Sequence, residues 1–145
     1  MSNFKAGFAR LDVTPPFGVN ISGYYEQRVA DGILDNLYAS AIAVSDGFNT
    51  AVIISADVIG IPQVKMNDYR KSVAERNSIS FEAVFIACTH THTGPVLANG
   101  LFADDPNYNN YLERRLSDVT ALAIQDLKPA SASIGRSVAS GISFV

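Results

Sequence analysis

Both histidines of the chain lie in one short segment, CTHTHTGP, at residues 88–95. A single threonine separates His90 from His92, and in an extended chain residues two positions apart point to the same side. Two imidazoles on one side can bind a metal ion or transfer protons near neutral pH. The alternative is a pair of hydrogen-bonded histidines at the end of a strand that bind no ligand.

The segments around these histidines predict where the two imidazoles lie. Residues 83–89 form a continuous apolar run, which is typical of a strand covered on both faces. Residues 50–58 predict a second strand that includes Asp57, and Pro62 begins a helix over 62–76. Because a helical crossover joins parallel strands, both strands end at the same edge, where open α/β sheets bind ligands. Asp57 is therefore a candidate site residue, with a helix cap before Pro62 as the alternative.

The remaining segments complete a mixed sheet. Strands are predicted over 4–14 and 37–45, and the second forms a hairpin with 50–58 because Asp46-Gly47 favours a tight turn. Residues 17–36 are a long loop. A second helix over 106–127 follows from one apolar face, and a last strand is expected over 131–138; the face comprises Tyr108, Leu112, Leu116, Val119 and Ala123. The predicted fold class is α/β: a mixed β-sheet with an antiparallel hairpin, a parallel βαβ unit and flanking helices.

Other residues near these segments have both a chemical and a structural interpretation. Cys88 alternates with His90 and could be a ligand, although a free cysteine in an apolar strand is typical of a small core residue. Asp104 and Asp105 suit loop solvation and a helix cap better than metal binding.

Composition excludes several classes of function. The 145 residues carry a net charge of −3 with no basic cluster, so we expect neither a nucleic-acid partner nor an anionic membrane surface. No apolar stretch reaches the roughly 18–20 residues that span a bilayer, and the N-terminus lacks the apolar core of a signal peptide. A single cysteine excludes an intrachain disulfide. These features favour a cytoplasmic location if the N-terminus is native.

At the level of motifs the chain resembles a known family. CTHTHTGP resembles the THTHSGP signature of the neutral/alkaline, non-lysosomal ceramidases, including their bacterial relatives. The segments AGFARLDVTPPFG, ISGYYEQRVADGILDNLYASAIAV and NYLERRLSDVTALAIQDLKPASASIG are similar to other parts of that family, in the same order. The resemblance extends over nearly all of the chain.

The resemblance implies a zinc-dependent hydrolase that cleaves an amide bond with a zinc-bound water. By position, His90 would be a zinc ligand and His92 a catalytic residue near the metal or the scissile carbonyl. Tyr24 and Tyr25 could line the substrate pocket, although tyrosines in a loop more often pack locally. The substrate would be a small-molecule or lipid amide such as a ceramide. We further expect one imidazole to be hydrogen-bonded through its far ring nitrogen to a carboxylate, a carbonyl or a threonine hydroxyl.

The chain departs from the family pattern in three respects. The family's other zinc ligands, a second histidine, a glutamate and a tyrosine, come later, so residues 1–145 are interpreted as the N-terminal, truncated portion of a ceramidase-like catalytic domain. Leu34 stands where the family commonly has histidine, and Thr93 replaces a serine. A non-catalytic relative and a different metal hydrolase stay open as alternatives. Truncation also predicts an exposed apolar face or a homo-oligomer that covers it.

Overall fold

The computed structural model describes residues 3–97 and 101–142. In these residues five strands form one sheet in the order β4-β3-β2-β1-β5. The strands are β1 (Lys5–Asp12), β2 (Tyr38–Ser45), β3 (Thr50–Ala56), β4 (Val84–Cys88) and β5 (Lys128–Pro129). The helices are α1 (Gln63–Asn77) and α2 (Pro106–Gln125), and a 3₁₀ turn at Phe81–Ala83 precedes β4.

The pairing of the strands confirms the predicted fold class. β1, β2 and β3 pair antiparallel, whereas β3 and β4 pair parallel and are joined through α1. In the turn between β2 and β3, the Asp46 carboxylate accepts hydrogen bonds from the backbone N–H groups of Phe48 and Asn49, at 2.9 and 2.7 Å. Gly47 takes a positive φ of 93° there, which glycine adopts without steric cost.

α2 buries the apolar face that its sequence predicts. The Asp105 carboxylate caps its N-terminus by accepting from the backbone N–H groups of Asn107 and Tyr108, and Pro106 takes the first helical position. Every residue of the predicted face is at most 2% exposed: Tyr108, Leu112, Leu116, Val119 and Ala123. Full burial of each large apolar side chain contributes roughly 1.5–3 kcal/mol, so this face anchors α2 to β1 and β2.

The sheet is covered on one face only within the described residues. The side chains that alternate inward pack against both helices, and those that alternate outward are exposed. Paired neighbours form an apolar row across four strands on the exposed face, consisting of Phe8, Ile42, Ile53 and Phe85. The expectation that 83–89 is covered on both faces is therefore wrong for this part of the chain, since Phe85 is 61% exposed. The homo-oligomer that would cover this face stays a prediction.

The predicted last strand over 131–138 is wrong. Within residues 126–142, Lys128 and Pro129 alone pair with β1, and residues 130–142 are exposed without regular structure. Pro129 has no N–H to donate, and the pairing ends where the backbone N–H of Ala130 donates to the carbonyl of Phe4. No helix in residues 3–97 and 101–142 is long and apolar enough to cross a membrane.

Candidate functional site

The two histidines lie on a turn just beyond β4, in a segment that we call the histidine loop (residues 89–96). Its backbone stays beside the chain that leaves β3, because the N–H of Thr91 donates to the carbonyl of Val58 at 3.3 Å. His90 has a positive φ of 62°, so the predicted extended conformation, in which side chains two positions apart share one side, is wrong at this residue. The turn still brings the rings of His90 and His92 together, with their centroids 5.4 Å apart.

Among the described residues, one hydrogen bond holds the imidazole of His90. Its Nδ1 lies 2.8 Å from the carbonyl oxygen of Ile59. Because a carbonyl only accepts, Nδ1 carries the proton and Nε2 is left with a free lone pair in the neutral ring. The expectation that one imidazole is bonded to a carboxylate, carbonyl or hydroxyl is thus confirmed for His90. Both histidines are exposed, so Nε2 of His90 can reach a ligand from solvent.

Asp57 lies at the predicted edge of the sheet, where it joins two strands. Its Oδ2 accepts from the backbone N–H of Tyr38 at 3.0 Å, at the start of β2. Its Oδ1 accepts from the hydroxyl of Thr89 at 3.1 Å, and that hydroxyl lies 2.7 Å from the hydroxyl of Thr91. The alternative role as a cap is wrong, because α1 begins after Pro62 without a side-chain cap. Asp57 supports the histidine loop through Thr89.

Replacement of Asp57 by alanine is expected to lower the free energy of unfolding by about 1–3 kcal/mol, because the half-buried N–H of Tyr38 loses its acceptor. Urea unfolding measures the change. The matched control is Asp35→Ala, since Asp35 is exposed in the long loop and its replacement should change stability by less than about 0.5 kcal/mol. Equal losses in the two variants would contradict this role for Asp57.

A second segment, which we call the docked hairpin (residues 18–30), packs against the histidine loop. The backbone N–H of Ser22 donates to the carbonyl of Gly94 at 2.8 Å, and that of Thr93 donates to the carbonyl of Ser22 at 3.1 Å. These bonds bring Gly23 so close to His92 that a Cβ on Gly23 would lie 2.5 Å from Nδ1 of His92. This contact is not predictable from the sequence, in which the glycine of ISGYY is the available signal.

The two tyrosines that follow Gly23 differ in exposure. Tyr24 is half-buried, and the guanidinium of Arg28 lies 3.9 Å from the centroid of its ring. Tyr25 is 96% exposed. Their position next to Gly23 places both near the histidine loop, and their role in lining a substrate pocket stays a prediction. Leu34, the position that is commonly histidine in the ceramidases, is fully exposed in the long loop.

The other candidate residues have structural partners. Asp105 caps α2 as predicted, whereas Asp104 forms an ion pair with Lys65 in place of the expected solvation. The hydrogen bond from Lys65 lowers the pKa of the Asp104 carboxyl. Burial raises the pKa of the Cys88 thiol, as expected for a small residue packed on the core. Among the residues that the structure describes, no three histidine, cysteine, aspartate or glutamate side chains are grouped to hold a metal ion.

Comparison with known proteins identifies the fold. No family model matches the sequence, and no curated protein matches it. The structure is similar to that of the neutral ceramidase from Pseudomonas aeruginosa, with a TM-score of 0.75 and 21% identity over 87% of this chain. It is also similar to a ceramidase complexed with C2, with a TM-score of 0.71 and 21% identity over the same share. The chain spans 22% of the length of each of these proteins. The ceramidase-like fold expected from CTHTHTGP is therefore confirmed: this chain folds like one part of a neutral ceramidase.

Proposed function

We propose that this chain forms part of a zinc-dependent, ceramidase-like hydrolase that cleaves an amide bond in a lipid or small-molecule substrate. The observation that carries the proposal is the pair of exposed imidazoles on one turn, with Nδ1 of His90 bonded to the carbonyl of Ile59. The likeness of the fold to ceramidases supports the same proposal.

The described residues supply part of the ligand set that a zinc ion needs. A metal-binding histidine commonly donates its other ring N–H to a carbonyl or carboxylate, which fixes the tautomer and the direction of the free nitrogen. His90 has this arrangement through Ile59. Zinc sites normally have three or four protein ligands. In the proposal, His90 is one ligand of the set and the others belong to parts of the protein outside residues 3–97 and 101–142.

Each histidine has a separate role in the proposed reaction. Zinc, when bound, supplies a water whose pKa is lowered to about 7 and polarises the scissile carbonyl. His90 binds the ion through Nε2. His92 donates a hydrogen bond to the oxygen that becomes negatively charged as the carbonyl is attacked. Tyr24 and Tyr25 contact the apolar part of the substrate beside the histidine loop.

The proposal is tested on the native gene product that carries this sequence. We expect elemental analysis to give about one zinc ion per chain. We also expect the protein to hydrolyse a fluorescent short-chain ceramide. Dialysis against a zinc chelator should remove the zinc ion and abolish hydrolysis, and added zinc should restore hydrolysis. The control is a Lys71→Ala variant, which should keep both the zinc content and the hydrolysis of the wild type, since Lys71 is exposed on α1.

Two outcomes would contradict the proposal. Undiminished hydrolysis after the zinc has been removed would exclude the metal from the reaction. A native protein that neither binds zinc nor hydrolyses the amide would support the alternative, a non-catalytic relative that retains the fold.

A further inference from the structure

We propose that Gly23 is a positioning residue for His92: its bare backbone is the surface that holds the imidazole in its orientation. The positioning itself rests on the geometry of the docked hairpin and the histidine loop. Its consequence for catalysis rests on the proposed function.

The contact between Gly23 and His92 leaves no room for a side chain. A Cβ on Gly23 would lie 2.5 Å from Nδ1 and 2.6 Å from Cγ of His92. Since carbon and nitrogen atoms that are not bonded normally stay more than about 3.5 Å apart, any side chain at Gly23 displaces the ring. The part of His92 nearest to Gly23 is therefore the side of the ring that carries Nδ1 and Cγ, together with the Cβ.

The backbone hydrogen bonds of the docked hairpin hold Gly23 next to His92. Three backbone hydrogen bonds join the hairpin to the histidine loop on the N-terminal side of Gly23. They run from the N–H of Ser22 to the carbonyl of Gly94, from the N–H of Thr93 to the carbonyl of Ser22, and from the N–H of Val96 to the carbonyl of Asn20. The hairpin is closed by the bonds from Ile21 to Arg28 and from Ala30 to Val19, both 2.9 Å. Because the Gly23 backbone is fixed by these bonds, a clash at Gly23 is relieved by rotation of the His92 ring together with a small shift of its Cβ, which would lie 2.9 Å from the new Cβ.

The same hairpin contains a matched control for the effect of backbone conformation. Gly18 and Gly23 have nearly equal positive φ angles, 91° and 94°, so alanine is similarly strained at both positions. Nothing lies within 4 Å of a Cβ built on Gly18. The variants Gly18→Ala and Gly23→Ala therefore share the backbone strain and differ in the contact with His92.

Nuclear magnetic resonance of the imidazoles in this chain tests the positioning without zinc or substrate. The two histidines give two sets of ring signals, which His92→Gln assigns. We expect Gly23→Ala to shift the ring signals of His92 and to abolish the cross-relaxation between His92 and the α-protons of residue 23. Gly18→Ala should leave the His92 signals as in the wild type. Equal shifts in both variants, or none in either, would overturn the proposal.

A double variant keeps the test decisive if Gly23→Ala does not fold. Replacing His92 by glycine removes both the ring and the Cβ that the new side chain would meet at 2.5–2.9 Å, so Gly23→Ala/His92→Gly should recover the melting temperature of Gly18→Ala/His92→Gly. If Gly23→Ala/His92→Gly stays unfolded while Gly18→Ala/His92→Gly folds, the backbone and not His92 requires glycine, and the proposal is wrong.

In the native protein, the displacement of His92 should appear in the rate. A misplacement of about 1 Å in a catalytic site can cost about 100-fold, so we expect kcat of Gly23→Ala to fall by about 100-fold with KM little changed. A shifted His92 spectrum with unchanged kcat would retain the positioning but contradict the role of His92 in the proposed function, so the two failures are distinguishable.

Discussion

Replacement of His90 is expected to abolish zinc binding, and with it amide hydrolysis, in the native protein. Nε2 of His90 is the ring nitrogen left free by the bond from Nδ1 to Ile59, and its loss removes a ligand together with the contact that directs it. Mutating a group that only supports a ligand typically costs about 10- to 100-fold in metal affinity or activity, so removal of the ligand itself should cost more.

The choice of substitution decides how clearly this result can be interpreted. His90 has a φ of 62°, which strains alanine, whereas asparagine tolerates the left-handed region. His90→Asn therefore removes the imidazole with less effect on the turn, and His90→Ala provides the comparison. Elemental analysis gives zinc per chain, turnover of a fluorescent ceramide gives the rate, and circular dichroism confirms the fold. Stoichiometric zinc with wild-type turnover in His90→Asn would show that His90 is not a ligand.

The two helices and the hairpin of β2 and β3 could be predicted because each rests on a local pattern. The apolar spacing along α2 has the helical period, and Asp105-Pro106 marks where that helix begins. Asp46-Gly47 fixes the turn between β2 and β3 by its own backbone preference. The failed strand at 131–138 had the composition of a strand, but composition does not show whether a neighbouring strand is there to pair with.

The candidate site could be located from the sequence, but its geometry could not. Asp57 was placed at the correct edge, the cap role was wrong, and its role as a site residue stays a prediction. Its partner Tyr38 is known only once the register of β2 on β3 is known, with Ala39 opposite Ala56. His90 is not extended as predicted, because its positive φ depends on tertiary contacts.

The contact between Gly23 and His92 could not be predicted from local sequence patterns, for the same reason. These residues are far apart in the chain, and they meet because the backbone around Ser22 bonds to the backbone around Gly94. Backbone pairing of two irregular segments depends little on which side chains they carry. A glycine in a long loop therefore predicts a turn, and only the structure shows that its missing side chain makes room for an imidazole.

His92→Ala is expected to retain zinc and lose rate, which separates its role from that of His90. In the proposed reaction His92 donates one hydrogen bond to the developing oxyanion, and loss of one such donor typically lowers kcat by about 100- to 1,000-fold. KM should change little, because the bond forms fully only in the transition state. Since the ring of His92 is exposed, we expect its removal to leave the fold intact.

Two further measurements make the assignment of His92 specific. His92→Gln retains a donor of similar reach and should recover part of the rate lost in His92→Ala, whereas a purely structural role would not distinguish the two once both are folded. Zinc per chain should equal that of the wild type in both variants. Loss of zinc from His92→Ala would make His92 a second ligand, and unchanged kcat would remove it from the reaction, which would leave His90 as the functional histidine of the pair.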